Sequence, residues 1–211
     1  MGICYIVGAG DCQEIIRPAK GDLLIAADGG ADHLAHMGLV PDLLLGDLDS
    51  LSGQAPSCPL VRYPAEKDDT DMALAVEEGV ARGYREFLIF GVLGGERLDH
   101  TLAAVSLLPG YVARGLSVTL LGGGQRVCAL SAGQEMRFPC EARGYLSLLA
   151  VGADVTVSAE NLKYPLQDDV LPVHATLGIS NEFLPGRAAR VFVKNGCLLL
   201  VWQEPWKEND V

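Results

Sequence analysis

The fold is decided by LLIAADGG, residues 23–30, where a continuous apolar run ends in an acidic, glycine-rich turn. A run that is apolar at every position is typical of a strand buried on both faces of a sheet. Similar runs occur along the first part of the chain and predict further strands at 3–7, 43–45, 60–63, 87–90 and 118–121. Helices are predicted between them, after Gly30 and over 70–82 and 98–108. This alternation predicts an α/β domain with a mostly parallel sheet and helices on both faces.

The two longer helices have apolar stripes and end signals. The first has Asp69 or Thr70 as its N-cap and Gly83 after its end. Its inward side chains are expected to be Met72, Ala73, Val76 and Val80. The second is expected to end just before Pro109. Its inward side chains are expected to be Leu98, Leu102 and Val105.

The pattern changes after about residue 125, where helical periodicity disappears. Short β-like segments recur at 127–130, 145–151, 155–157, 189–193 and 198–202. Asn195-Gly196 lies between the last two segments and predicts a two-residue hairpin turn. We therefore expect an α/β domain over 1–125 and an all-β C-terminal sandwich, or a small barrel, over 126–211.

Composition argues against several classes of function. The chain has 211 residues and a formal net charge of −11, which disfavours both nucleic-acid binding through a broad basic surface and docking on anionic membranes. No apolar run is long enough to span a bilayer, and the N-terminus lacks the basic region of a signal peptide. The six cysteines form no CxxC pair and have no histidine at ligand spacing, so we expect reduced thiols and a cytoplasmic protein.

The aspartates carry the functional information. Nine of the 15 in the chain fall at positions 28, 32, 42, 47, 49, 68, 69, 71 and 99. Parallel strands bring their carboxyl ends to one edge, so we expect several of these carboxylates to converge there. Converging carboxylates repel one another, and Mg²⁺ would offset this because it takes oxygen ligands and shares them with phosphates. The alternative is structural, since an aspartate at a loop start or helix N-cap satisfies free backbone N–H groups.

Glycine-rich turns add a signal for phosphate. Gly29-Gly30 and Gly94-Gly95 each follow a strand and open a helix, where backbone N–H groups bind phosphate. Arg97 lies beyond the second turn and is a candidate for contacting phosphate or neutralising charge in a transition state. The alternative is a plain surface arginine, and Lys67 has the same two interpretations. The P-loop pattern is absent, so a nucleotide site would be of another design.

In their order along the chain, these motifs resemble those of the thiamine pyrophosphokinase family. The motifs are Asp28-Gly29-Gly30-Ala31, Gly46-Asp47-Leu48-Asp49-Ser50, Asp68-Asp69-Thr70-Asp71, Gly94-Gly95-Glu96-Arg97-Leu98-Asp99-His100 and Gly178-Ile179-Ser180-Asn181-Glu182-Phe183. The resemblance implies transfer of a diphosphoryl group from ATP to thiamine, giving thiamine diphosphate and AMP. It also implies Mg²⁺, a nucleotide-binding N-terminal domain, a C-terminal β-sandwich and a homodimer with thiamine at the subunit interface.

The resemblance further implies roles for individual residues. The metal-binding and catalytic carboxylates would be Asp47, Asp49 and Asp71, joined in catalysis by Arg97. The nucleotide would be held by Asp28, Arg97, Asp99 and His100, together with the turn and helix-start residues Gly29, Gly30, Asp68 and Thr70. Thiamine would contact Ser180 and Asn181, and Trp202 is the candidate aromatic against its ring, with a buried core tryptophan as the alternative. A carboxylate that holds a metal, such as Asp71, is a poor base, so no general base is assigned.

Two other functions stay open on the sequence alone. The same carboxylates would serve a pyrophosphokinase acting on another alcohol, such as a pterin that carries a hydroxymethyl group. A non-catalytic nucleotide-sensing module would need the glycine turns but not Asp47, Asp49 and Asp71. Formation of AMP only in the presence of thiamine separates the first function from both alternatives.

Overall fold

The computed structural model describes residues 2–46, 57–62 and 69–203, and these contain three helices and twelve strands. Contacts divide the chain into two compact units. The first, which we call the α/β unit, is Met1–Leu107 with Gly115–Gly123. The second, which we call the β unit, is Leu108–Arg114 with Gly124–Val211.

The α/β unit contains six parallel strands. They are β1 (Cys4–Val7), β2 (Leu23–Ala27), β3 (Leu43–Gly46), β4 (Leu60–Arg62), β5 (Glu86–Phe90) and β6 (Ser117–Gly122). The helices between them in the chain are α1 (Gly30–His36), α2 (Asp71–Ala81) and α3 (Leu98–Ala113). Neighbouring strands follow the order β6-β5-β1-β2-β3-β4. The strands lie where their apolar runs predict them, and β2 is buried at all five positions.

Helices cover both faces of this sheet. On one face, Leu34 of α1 belongs to a buried cluster that includes Val7. On the other face, a Cβ added to Gly79 of α2 would lie 3.0 Å from the Cys4 sulfur and 2.6 Å from the Phe87 ring. Cys4 and Val7 are three positions apart on β1, so their side chains point to opposite faces. The arrangement agrees with the α/β class that the alternating pattern predicts.

The helix α2 forms where its sequence predicts. Thr70 Oγ1 accepts a hydrogen bond from the Ala73 backbone N at 3.2 Å, so Thr70 rather than Asp69 is the N-cap. Gly83 follows the C-cap residue, as expected. The expected inward stripe is buried at Met72, Ala73 and Val76, and Val80 is half-buried.

The expected end and inward face of α3 are wrong. The helix continues through Pro109 to Ala113. Leu98 and Leu102 are 67% and 60% exposed, and Val105 is only half-buried. Its buried side chains are Ala104, Leu108, Tyr111 and Val112. The segment has two apolar stripes with helical spacing, and the one predicted to face inward is the more exposed of the two. Pro109 removes one backbone donor, and the buried side chains that flank it hold the helix together.

The β unit contains six antiparallel strands. They are β7 (Gln125–Ser131), β8 (Glu135–Phe138), β9 (Tyr145–Glu160), β10 (Leu166–Leu171), β11 (Asn181–Glu182) and β12 (Ala189–Gln203). The two long strands, β9 and β12, pair with each other along most of their lengths. One half of this pair is flanked by β7 and β11, and the other half by β8 and β10. Side chains from both halves share one apolar core.

The hairpin predicted at Asn195-Gly196 is wrong, because both residues lie inside β12. β12 pairs with β9 on both sides of this point, with register shifts between Val193 and Asn195 and between Asn195 and Cys197. Gly196 adopts a φ of +87°, which suits a bulged position. The segments predicted at 145–151 and 155–157 are likewise one strand, β9. Pairing with a long neighbour overrides the local turn signal, so the strand bends instead of reversing.

The six cysteines, all within the described residues, are free thiols. Burial raises the pKa of Cys4 and Cys128 to about 12, which leaves both thiols protonated and unreactive at neutral pH. No helix in the described ranges is long and apolar enough to cross a membrane.

Candidate active site

The loops that follow the parallel strands lie at one end of the sheet, which we call the carboxyl edge. It comprises residues 8–11 after β1, 28–30 after β2, 46 at the end of β3 and 91–97 after β5. Ligands of open α/β sheets bind at this end of the strands. The predicted nucleotide residues Asp28, Gly29, Gly30 and Arg97 all belong to the carboxyl edge.

Backbone contacts fix the loops after β1 and β5 against each other. The Gly8 backbone N donates to Phe90 O at 2.8 Å, and the Gly10 backbone N donates to Gly91 O at 2.9 Å. A Cβ on Gly91 would lie 2.3 Å from Gly8 O, so only glycine permits this approach. His33 of α1 holds the same loop, because its Nε2 lies 2.8 Å from Gly10 O. A carbonyl oxygen only accepts, so this ring nitrogen is the donor.

The turn after β2 carries a carboxylate with an unsatisfied oxygen. Asp28 has a left-handed φ of +53°, and its backbone N donates to Leu45 O at 2.7 Å. Its Oδ1 is buried and has no hydrogen-bond partner in the described part of the chain. Gly30 is required by packing, since a Cβ there would lie 1.8 Å from Val7 O. A buried carboxylate oxygen without a partner is costly, so this atom is poised for a donor or a cation from a ligand.

Other aspartates of the same unit do have structural roles. Asp42 Oδ2 accepts a hydrogen bond from the Leu24 backbone N at 2.9 Å. Asp22 accepts from the backbone N atoms of Ile3 and Ala19, both at 2.8 Å. The structural alternative therefore holds for Asp42, one of the nine clustered aspartates, and does not account for Asp28.

Arg97 and Asp99 form a bidentate ion pair at the start of α3. Arg97 Nε donates to Asp99 Oδ1 at 2.9 Å, and Nη2 donates to Oδ2 at 2.7 Å. Hydrogen bonding from Arg97 lowers the pKa of Asp99 to about 2 from its ordinary 3.8. The two side chains are 67% and 65% exposed, so the guanidinium is accessible to an incoming anion. His100 follows on the same exposed turn.

Of the predicted metal ligands, the structure describes only Asp71. Asp47, Asp49, Lys67 and Asp68 lie outside the described residues. Asp71 is half-buried in the first turn of α2, where the hydroxyl of its neighbour Thr70 caps the helix. Over 2–46, 57–62 and 69–203, no three His, Cys, Asp or Glu side chains form a group that could hold a metal. The convergence of Asp47, Asp49 and Asp71 stays a prediction.

The three thiamine candidates lie in the β unit in different environments. Ser180 is exposed, with a left-handed φ of +57°, and its backbone N donates to Ser147 Oγ at 3.0 Å. Asn181 is 3% exposed. Its Nδ2 donates to Tyr164 O at 2.7 Å, and its Oδ1 accepts from the Tyr164 and Glu182 backbone N atoms. The Asn181 side chain thus holds this region together, and contact with thiamine stays a prediction for both residues.

Trp202 combines core and surface character. It is half-buried on β12 and packs edge-on against Phe138, with ring centroids 5.5 Å apart and an interplanar angle of 80°. It packs against the apolar core of the β unit. Trp202 therefore contributes to the core, as the alternative interpretation predicts. Its contact with thiamine stays a prediction.

One side chain of the carboxyl edge was missed by the sequence analysis. Asp11 follows the loop after β1, and its carboxylate oxygens lie 3.7 and 3.8 Å from where a Cβ would stand on Gly94 and Gly95. The strand order places it there, because β5 is the neighbour of β1 in the sheet. Asp11 could therefore have been identified only from the order of the strands in the sheet.

The fold and the carboxyl edge define a class of proteins, the α/β proteins that bind a ligand where their parallel strands end. Two family models narrow the class. Residues 18–120 match the model described as "Thiamin pyrophosphokinase, catalytic domain", and residues 134–198 match "Thiamin pyrophosphokinase, vitamin B1 binding domain". The chain belongs to the thiamine pyrophosphokinase family, as its motifs indicate.

Individual relatives support this assignment over most of the chain. A thiamine pyrophosphokinase of Bacillus subtilis is 30% identical over 188 residues, which are 85% of this chain and 86% of that protein. The crystal structure of a thiamin pyrophosphokinase family protein from Enterococcus faecalis matches with a TM-score of 0.82 at 28% identity, over 97% of this chain and 99% of the other. A Bacillus subtilis thiamine pyrophosphokinase structure shares the fold, with a TM-score of 0.85 at 24% identity over 97% and 100% of the two chains.

Proposed function

We propose that this chain transfers the diphosphoryl group of ATP to the hydroxyl of thiamine, giving thiamine diphosphate and AMP. The observation that carries the proposal is the buried, unpartnered Oδ1 of Asp28 at the carboxyl edge of a parallel sheet. The family supports catalysis over mere nucleotide sensing. The match of residues 134–198 to a vitamin B1 binding domain supports thiamine over a hydroxymethylpterin as the acceptor.

The side chains of the carboxyl edge have distinct tasks in this reaction. Arg97 would exchange the carboxylate of Asp99 for phosphate oxygens, since its fork fits both and is already accessible. The backbone contacts between the loops after β1 and β5 would keep the edge rigid while the thiamine oxygen attacks the β-phosphorus and AMP leaves. The proton of the attacking hydroxyl has no assigned acceptor among the side chains.

Magnesium fits the chemistry of the residues expected to hold it. Asp47, Asp49 and Asp71 would supply carboxylate oxygens, which Mg²⁺ prefers, and the buried Asp28 Oδ1, which has no partner among the described residues, supports a cation nearby. When bound, the ion would neutralise charge on the phosphates. The chain's own contribution would be to bring these carboxylates, which are distant in sequence, to one place.

The remaining features of the proposal concern organisation. We propose that residues 1–125 bind ATP, that residues 126–211 bind thiamine, and that the enzyme is a cytoplasmic homodimer with thiamine at the subunit interface. In support, Tyr145, Leu177 and Ile179 are 53%, 58% and 43% exposed around Ser180. Such apolar exposure is typical of a covered surface. Sedimentation of the wild type against Ile179→Glu tests this, with a shift to monomer expected and an unchanged mass contradicting it.

The reaction itself is tested by incubating the protein with ATP, Mg²⁺ and thiamine and separating the nucleotides. AMP and thiamine diphosphate in equal amounts are expected, with no AMP when thiamine is omitted. A hydroxymethylpterin in place of thiamine serves as the acceptor control. Formation of ADP, or no consumption of ATP, would contradict the proposed function.

A further inference from the structure

The order of the parallel strands reverses between β1 and β5. From β1 the chain adds β2, β3 and β4 on one side, and it then returns to place β5 and β6 on the other side of β1. Ligands of open α/β sheets bind at such a reversal, in the crevice outside the carboxyl ends of the strands. In this chain the loops that leave β1 and β5 are residues 8–11 and 91–97, and backbone hydrogen bonds hold them against each other.

Asp11 is the side chain that this geometry delivers to the crevice. The residue before it is held on both sides, because Gly10 N donates to Gly91 O and Gly10 O accepts from His33 Nε2. The Asp11 carboxylate is exposed beside Gly94 and Gly95, which have no side chains to cover it. No hydrogen bond or ion pair within the described ranges uses this carboxylate. It differs in this from Asp22 and Asp42, whose oxygens bind backbone N–H groups.

A carboxylate in a phosphate-binding crevice repels the phosphates, so its partner must be a hydrogen-bond donor elsewhere on the ligand. A nucleotide offers two kinds of donor, the hydroxyls of its ribose and the amino group of its base. The ribose is bonded directly to the phosphate chain, and Asp11 lies beside the turn that leads to Arg97. We propose that Asp11 accepts a hydrogen bond from a ribose hydroxyl of the bound nucleotide. This inference rests on the proposed use of ATP and adds a residue that selects ribonucleotides.

Equilibrium binding of ATP, 2′-deoxy-ATP and 3′-deoxy-ATP, each with Mg²⁺, tests this assignment. The wild type is expected to bind one deoxy analogue roughly tenfold to a hundredfold more weakly than ATP, as fits a lost hydrogen bond to a charged group. Asp11→Ala is expected to bind ATP as weakly as that analogue, while its affinity for the analogue is unchanged. Asp11→Asn keeps an acceptor oxygen and is expected to keep part of the preference.

Two controls separate this bond from other effects. Glu96→Gln removes one charge from the neighbouring exposed loop and is expected to leave the preference for ATP intact. Thermal unfolding of each variant checks that it is folded. The assignment is overturned if Asp11→Ala weakens ATP and both analogues equally, or if the wild type does not distinguish them. It is also overturned if the variant loses discrimination against inosine triphosphate, which would place the carboxylate on the base amino group.

The same measurements keep the inference apart from the proposed function. If the preference for ATP depends on Asp11 but no AMP forms with thiamine, the ribose contact stands and the proposed reaction fails. If AMP forms but the preference does not depend on Asp11, the reaction stands and the ribose contact fails. Absence of any nucleotide binding would overturn both.

Discussion

Acidic side chains have different partners in the two units of the molecule. In the β unit, several carboxylates on the strands are paired with cations: Glu135 with Arg137 and Arg190, Glu182 with Lys163, and Asp168 with Lys194. At the carboxyl edge of the α/β unit, by contrast, the buried Asp28 Oδ1 has no partner within the described ranges, and the exposed Asp11 carboxylate has none there either. A carboxylate that is already paired has little left to offer a ligand. We therefore expect Asp28 and Asp11 to meet a ligand, whereas the paired carboxylates of the β unit serve the surface structure.

The largest test of this contrast is Asp49→Asn, which removes one of the carboxylates expected to hold the metal. We expect turnover to fall roughly 1,000-fold, because several kcal/mol of charge neutralisation are lost. The unfolding midpoint should stay close to that of the wild type. AMP formation and thermal unfolding are the measurements, and Asp42→Ala is the matched control, expected to lose stability through Leu24 while the reaction survives. Near-normal turnover of Asp49→Asn with Mg²⁺ would remove the metal assignment.

The backbone that builds the carboxyl edge is tested by Gly30→Ala. The new Cβ would stand 1.8 Å from Val7 O, so β1 or α1 must move, and we expect a loss of at least about 3 kcal/mol in the free energy of unfolding. Gly110→Ala is the control, because that helical glycine has nothing within 4 Å of its added Cβ. There we expect a gain of about 0.5–1 kcal/mol in urea unfolding. Equal effects of the two changes would contradict the close approach at Gly30.

Arg97→Ala tests the exposed guanidinium at the carboxyl edge, which is paired with Asp99 when no ligand is bound. We expect kcat/KM for ATP to fall about 100-fold, the scale of losing a donor to transition-state charge, with less loss in Arg97→Lys. The carboxyl of Asp99 should titrate near 3.8 in Arg97→Ala instead of about 2. Because the folded-state pKa is the lowered one, the pair is complete above about pH 4 and is lost as pH falls through 2. Carbon-detected NMR titration measures this, and an unshifted Asp99 would contradict the pair.

The smallest expected effects come from neutralising one carboxylate of each kind. Asp28→Asn should weaken ATP binding about tenfold while stability is unchanged or higher, since a buried amide costs less to desolvate than a carboxylate. Asp168→Asn in the β unit should leave ATP binding unchanged and lower the unfolding midpoint slightly through the loss of its pair with Lys194. ATP binding and thermal unfolding of both variants are the measurements. Equal changes in ATP affinity and in unfolding midpoint for the two variants would contradict the difference between the two units.

The parallel part of the fold could be predicted because its signals are local. β2 is apolar at each of its positions, and α2 has its cap, its stripe and its terminal glycine within 14 residues of sequence. The β unit could not be predicted in the same way. Asn195-Gly196 is a turn signal by local rules, yet β9 offers partners on both sides of it. Which of two helical stripes on α3 is buried also depends on residues far away in sequence.

For the candidate site, the sequence indicates where residues stand relative to the strands but not which interactions they make. The motif order correctly placed Asp28 and Arg97 on the carboxyl edge. It could not tell that Asp42 binds a backbone N–H or that Asn181 is committed to Tyr164. Asp11 lies in no quoted motif, and its position follows only from the strand order. Partners, unlike residue types, are a property of the folded chain.

The bend in β12 has a consequence for how the β unit comes apart. β9 and β12 each run through both halves of the core, so neither half is formed by strands of its own alone. Loss of β8 or β10 leaves β9 still paired with β12 and β12 still paired with β7, whereas separation of β9 from β12 disrupts both halves of the core together. Opening of this unit is therefore all-or-none, and the amide protons of its two central strands should exchange with deuterium together and last.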